Sequence, residues 1–171
     1  MVERELTRQK EAEATGFDHY KVLLDEWKEI RQNAKDGKMV TRGKEMPWQQ
    51  NAQALVKFFY YPTIEEDVAN KDWMVFVQDI RTHSGKHRHQ GGLALYVIEG
   101  TGWTVVDGQR FDWEAGDLIL LPVRPNGVEH QHFNAEKGKP CKWLAFIYTH
   151  YMRCTGHQMQ QEDKHPEFQH G

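Results

Sequence analysis

The spacing of apolar residues changes once along this chain. From Asp18 to Asp36 the residues Tyr20, Leu23, Leu24, Trp27 and Ile30 recur at helical spacing. Asp18 is placed to cap the N-terminus of that helix, and Gly37 to end it in a left-handed conformation. Such a stripe needs a partner, either the outside of a barrel or a second subunit. From residue 52 onward the period shortens to that of strands. Bulky and β-branched runs cover Leu55–Tyr61, Trp73–Ile80, Leu93–Glu99, Trp103–Val106, Leu118–Leu121, His130–Asn134 and Lys142–Thr149. Between them lie turn signals. Gly100-Thr101-Gly102 and Gly116-Asp117 break the pattern, and Asp107-Gly108 is a two-residue hairpin signal because both positions tolerate positive φ. Short strands, closely spaced turns and no alternating helices predict an antiparallel sandwich or barrel.

The flanks differ in character. Residues 1–17 are charged without apolar periodicity and read as frayed or conditionally helical. The tail after His150 is polar and rich in Gln and His, and either folds back on the barrel or stays mobile. The expected organisation is therefore an N-terminal helical extension over 1–45, a barrel over 46–150 and a C-terminal tail over 151–171.

Composition narrows the class. A chain of 171 residues fits one domain with extensions. The formal net charge of −3 comes from interspersed charges of both signs, which excludes the basic stripe that nucleic acid requires. No apolar run approaches the roughly 20 residues of a membrane span, and the N-terminus has no apolar signal region, so a soluble cytoplasmic protein with no membrane partner is expected. Two cysteines, Cys141 and Cys154, form no metal-knuckle pattern and read as reduced thiols. The helix stripe and the aromatic run Phe58–Tyr61, taken as an edge strand, are liabilities if exposed, and a homodimer that buries both is the expected assembly.

Ten histidines are the feature that carries chemistry. His87-Arg88-His89 places two imidazoles on one strand face, because alternate residues point the same way. Glu129-His130-Gln131-His132 supplies a second same-face pair from a distant strand, and closure of a barrel would bring the two pairs together inside. Three imidazoles on one side of a divalent ion leave open positions for water, oxygen or substrate. By geometry alone, either His130 or His132 is the third ligand. His83 shares the parity of His87, but Gly85 intervenes. Arg88 alternates with the pair and should point away. Arg81 has inward parity and is a candidate to hold a substrate carboxylate bidentately. Arg124 is placed near the barrel mouth. Gln78 and Gln90 are candidates to hydrogen-bond substrate or oxygen. Gly91-Gly92 reads as a bend or bulge directly after the histidine pair. The aromatics Trp73, Phe76, Tyr96, Trp103, Trp113, Trp143, Phe146 and Tyr148 serve as core, with some placed to wall an apolar pocket.

The motifs then resemble a known family. His87-Arg88-His89, ten residues and Gly100 are similar to the first cupin motif. Gly116, five residues, Pro122 and the stretch Gly127 to Asn134 are similar to the second. The resemblance covers roughly residues 80–150 and implies an all-β fold, a single cupin barrel of the double-stranded β-helix or jelly-roll kind. Two departures stand out. Leu93 occupies the place of the family's glutamate ligand, and three extra residues lie between Pro122 and Gly127. An apolar residue at that place resembles the three-histidine subset of cupins, the gentisate 1,2-dioxygenases and their relatives. The motif spacing from Gly127 then selects His130 over His132, so the implied ligands are His87, His89 and His130. His132 becomes a neighbour that donates a proton or orients substrate.

The resemblance further implies Fe(II), O2 and a small oxygenated aromatic or diketone-like substrate that chelates the metal before oxidative cleavage. Three neutral imidazoles leave the cation its full charge, which suits a dianionic chelating substrate. Imidazole ligands by themselves do not choose among iron, copper, nickel and zinc. A metal-dependent lyase, isomerase or hydrolase is the competing enzyme class, with the metal as Lewis acid. A non-enzymatic small-molecule-binding module is the third reading.

Overall fold

A computed structural model describes residues 16–61 and 67–168 of the chain. The charged stretch read as frayed lies almost wholly outside the described residues. The chain divides into two compact units. Among the described residues, one holds residues 16–38 together with Asp67–Ala69, and the other holds the rest.

The smaller unit is built on helix α1, His19–Asp36. Asp18 caps it as expected, its Oδ1 accepting from Tyr20 N at 3.0 Å and Lys21 N at 3.1 Å. The C-terminal end departs from expectation. Gly37 is extended (φ −67°, ψ 157°) rather than left-handed, although its N–H still donates to Asn33 O. Glycine is required there by close approach, because a Cβ would lie 2.4 Å from Asn33 O and 2.7 Å from Ala69 N. Lys38 then pairs with Val68 in a parallel bridge. No residue of α1 is buried, and Tyr20, Leu23, Leu24, Trp27 and Ile30 are exposed.

The larger unit contains β1 (Gln49–Gln50), β2 (Leu55–Tyr60), β3 (Trp73–Asp79), β4 (His87–His89), β5 (Ala94–Glu99), β6 (Thr101–Val106), β7 (Gln109–Glu114), β8 (Leu118–Leu120), β9 (Val128–Asn134), β10 (Lys142–Tyr148), α2 (Thr149–Cys154) and β11 (Gln160–Gln161). The expected strands are present with ends moved by one or two residues. Strands β1, β7 and β11 and helix α2 had no explicit counterpart in the pattern. All pairings are antiparallel and form two sheets, β1-β2-β3-β10-β5-β8 and β11-β4-β9-β6-β7, with no ladder closing them into one barrel among the described residues.

Alternation sets the inner faces. Strand β9 buries Val128, His130, His132 and Asn134, strand β10 buries Trp143, Ala145 and Ile147, and strand β6 buries Gly102, Thr104 and Val106. Ile80, Leu95, Val97, Leu121 and Trp113 add to the core. Each large apolar side chain buried this way contributes about 1.5–3 kcal/mol. The β6–β7 hairpin turns at Asp107 (φ 46°) and Gly108 (φ 82°), the two positive-φ residues that its tight loop demands.

Strand β2 is covered only at its start, where β1 pairs with Leu55 and Val56; among the described residues Phe58–Tyr60 pair with β3 alone. Phe58 packs 5.3 Å from Phe76. The aromatic run is thus an edge, as expected, but it is not exposed, since Tyr60 is buried and Phe58, Phe59 and Tyr61 are half-buried, so its ground for a dimer falls away.

Candidate metal centre

Strand β4 is three residues long, and its two imidazoles are fixed by its pairing with β9. His87 stands directly opposite His130, Arg88 opposite Glu129 and His89 opposite Val128. Opposed residues share a face, so the three rings converge inside through one ladder, without any need for barrel closure. Ring centroids lie 4.1 Å apart for His87–His130, 4.6 Å for His89–His130 and 5.3 Å for His87–His89. One ring nitrogen from each lies within 4.8 Å of the others. Imidazole–metal bonds are about 2.0–2.1 Å long, so small ring rotations bring these nitrogens onto one ion. His132 is not part of that group.

All three rings are buried, and burial keeps them neutral. It pushes His87 down to about 3 and His89 down to about 2, each with help from the neighbouring His130, and it lowers His130 to about 4. Neutral lone pairs are what a divalent cation needs. Two rings are also held in the right tautomer. His130 Nδ1 lies 3.0 Å from Val128 O, and His87 Nδ1 lies 3.5 Å from Gly85 O, which puts the proton on Nδ1 and frees Nε2. His89 differs. Its Nδ1 accepts from Gly91 N–H at 2.9 Å, which leaves the proton of the neutral ring on Nε2. Whichever nitrogen His89 gives to a cation, this bond must be released.

The loop that makes this bond needs glycine. Gly91 sits at φ 82°, and a Cβ there would lie 1.8 Å from Pro122 O. This close backbone approach is the physical content of the bend expected after the histidine pair. Leu93, at the place of the missing carboxylate, is buried in the apolar core.

His132 is fully enclosed, and burial holds its pKa well below the usual histidine range, with His130 a lesser cause. Its Nδ1 is 2.8 Å from Thr104 Oγ1, which also accepts from Trp113 Nε1 at 2.9 Å. Its ring lies 5.6 Å from that of His130 and 4.8 Å from that of Trp143. Beyond it, Gln78 Oε1 and Trp143 Nε1 are buried without hydrogen-bond partners, on residues directly opposite each other in the β3–β10 ladder. An acceptor and a donor left open in an interior call for a polar guest.

A cavity of about 440 Å³ lies among β6, β7 and β8, walled by Thr104, Val106, Phe111, Trp113, Ile119 and Leu121, with none of the histidines in its lining. Val106 is the ladder partner of His130, and Thr104 that of His132. The volume lies within the roughly 300–1,000 Å³ of small-molecule sites. Arg124 brings a cation to its lining and pairs with Asp107.

Several expected residues are placed elsewhere. Arg81 follows the end of β3, its side chain is more than half exposed, and it pairs with Glu167 at 3.6 Å instead of reaching the cluster. Gln90 lies just past β4, and its Oε1 accepts from Gln158 N–H at 2.6 Å, which commits it to the tail. Of the aromatics, Trp113 and Trp143 are buried, whereas Trp73, Tyr96, Phe146 and Tyr148 are exposed. His83 Nδ1 lies 2.9 Å from Ser84 O, away from the three-histidine group. Arg88 points outward as expected. It joins Glu129 at 3.2 Å, Glu162 at 3.4 Å and Asp107 at 3.8 Å.

One residue at the site had no sequence signal. His157, from the polar tail, places its ring centroid 4.5 Å from that of His89. Its only hint in the sequence was the Gln- and His-rich composition of the tail.

Part of the chain is similar to known proteins. Residues 74–147 match the family described as Cupin domain. Gentisate 1,2-dioxygenase of a Ralstonia species is 33% identical over 75 residues, covering 42% of this chain and 20% of the relative. A 5-aminosalicylate 1,2-dioxygenase of a Comamonas species is 38% identical over 50 residues, covering 29% of this chain and 13% of the relative. The chain thus spans a fifth or less of the curated relatives it matches. Among solved structures, salicylate 1,2-dioxygenase of Pseudoaminobacter salicylatoxidans in its adducts with gentisate superposes with a TM-score of 0.58 at 16% identity. That match covers 98% of this chain and 49% of the other. At that identity the likeness shows the fold. Ladder, structural likeness and the match over residues 74–147 agree on a cupin fold, and its interior carries a three-histidine cluster.

Proposed function

We propose that His87, His89 and His130 hold a ferrous ion and that the protein is a non-haem iron dioxygenase cleaving the ring of a small hydroxylated aromatic acid. The observation that carries this reading is the group of three buried, neutral imidazoles with no carboxylate among them. The partial relatives, which act on gentisate and 5-aminosalicylate by name, set the substrate class. Bound there, iron supplies a path for electrons between substrate and O2.

The rest of the work falls to the chain's own residues. The apolar walls Phe111, Ile119 and Leu121 take the ring and exclude water. His132, fixed by Thr104, holds or moves a proton at its free ring nitrogen beside the guest. Gln78 Oε1 and Trp143 Nε1 accept from and donate to a hydroxyl in the interior. With Arg81 at the surface, Arg124 is the cation best placed for a carboxylate, in exchange for Asp107.

The test is oxygen uptake by ferrous-reconstituted protein given gentisate, salicylate and 5-aminosalicylate. Uptake with ring-opened product is expected. No uptake with any of them, despite stoichiometric bound iron, would overturn the reading. Turnover of another substrate by zinc-loaded protein without oxygen would move the site to Lewis-acid chemistry. The homodimer keeps one ground, the exposed apolar stripe of α1, and sedimentation velocity decides it.

A further inference from the structure

We propose that His157 is a substrate-binding residue of the metal centre: its imidazole hydrogen-bonds an anion that takes the open positions beside the cation. This deepens the metal reading above and rests on it.

Three observations point there. The His157 ring lies against that of His89, tilted by 30°, and is half-buried. Its Nδ1 is buried and has no hydrogen-bond partner. It is also outside the group of nitrogens that can meet on one cation, so it adds a fourth imidazole next to the ligand set and does not complete that set.

The position is built by the fold. After α2, the chain runs back over the ligand strand, held to α2 at His157 itself and fastened beside β4 from Gln158 onward. His157 N–H donates to Met152 O at 3.2 Å, and Gln158 N–H donates to Gln90 Oε1. Strand β11 then pairs with β4, with Gln161 opposite His87 and Gln160 opposite Arg88. The N–H groups of Glu162 and Asp163 both donate to Lys86 O, and the Glu162 carboxylate pairs with Lys86 at 3.1 Å and with Arg88 at 3.4 Å. The inner side of β4 thus carries the ligand pair while its edge and outer side anchor the segment that presents His157.

The chemistry suits an anion. Three neutral ligands leave the cation's charge uncompensated, so the open positions draw a phenolate, carboxylate or similar group. A buried imidazole nitrogen with nothing to bond is completed by such a guest. Packing on His89 alone would need only a flat ring, and this separates the two roles experimentally.

The experiment uses the full chain loaded with Co(II) without oxygen, following the cobalt absorption bands as azide and, separately, gentisate are added. The variants are H157F, which keeps the ring, and H157Q, which keeps a hydrogen-bonding group. Co(II) affinity should agree within about threefold across all three proteins. Azide and gentisate affinity should fall at least about tenfold in H157F and stay within about threefold in H157Q. Unchanged azide affinity in H157F overturns the proposal, as does a tenfold loss of Co(II) itself, which would make His157 a ligand. Failure of the wild type to bind Co(II) overturns both this proposal and the metal reading. Binding of azide but not gentisate, with the expected dependence on His157, upholds the proposal and overturns only the aromatic substrate.

Discussion

His87 and His130 face each other as direct partners in the β4–β9 ladder, their ring centroids 4.1 Å apart. The site is thus as rigid as a paired pair of strands, and its donors are separable by mutation. In H87A, H89A or H130A, metal affinity should fall by more than the roughly 10–100-fold that loss of an outer partner costs. In H132A the metal should remain while turnover drops. Metal analysis of each purified variant checks this, and an H132A protein devoid of metal would contradict it.

Acid should destabilise the metal-free protein. In the unfolded chain each histidine takes up a proton as pH falls through about 6.5. In the fold, His130 resists until about 4, His87 until about 3 and His89 until about 2. Between these limits the unfolded state binds more protons, so stability is full above about pH 7 and falls as pH drops. Each such ring contributes up to about 1.4 kcal/mol per pH unit. Urea unfolding midpoints at pH 7.5 and pH 5 read the effect, and equal midpoints would refute it.

Metal loading should release the Gly91 amide from His89 Nδ1. In a titration with Zn(II), the Gly91 amide resonance should shift more than those of neighbouring loop residues and exchange faster with solvent. An amide that stays put while metal binds would mean that His89 is not a ligand.

Thr104→Val should cost stability out of proportion to its size. Its Oγ1 serves both His132 Nδ1 and Trp113 Nε1, and losing it orphans two buried groups at about 1–3 kcal/mol each. Thr104→Ser should retain most of it. Thermal unfolding of the two variants makes the comparison, and equal losses would place the effect in packing instead.

Much of this was legible in the sequence because alternation is a local property. The strands and the same-face pair His87 and His89 follow from period two, and the Asp107-Gly108 hairpin from two adjacent residues that tolerate positive φ. The difficulty began where strands stop. Inward parity was read through Arg81, but β3 ends at Asp79, and beyond that point the side chain is free to turn to Glu167. Gln90 likewise lies one residue past β4 and turns to Gln158. Strand β11 and His157 left no periodic trace, because the tail is polar throughout and is ordered by partners distant in sequence. The two-residue strand of glutamines that covers the start of β2 left none either.

The alternation of His87, Arg88 and His89 also constrains how this gene can change. A single codon lost or gained just upstream of the strand would swap its faces, sending a guanidinium into the interior and both imidazoles into water. Insertions that a surface loop would absorb are lethal to the centre here. The few residues linking Ser84 to His87 should therefore hold their length even where their identities drift.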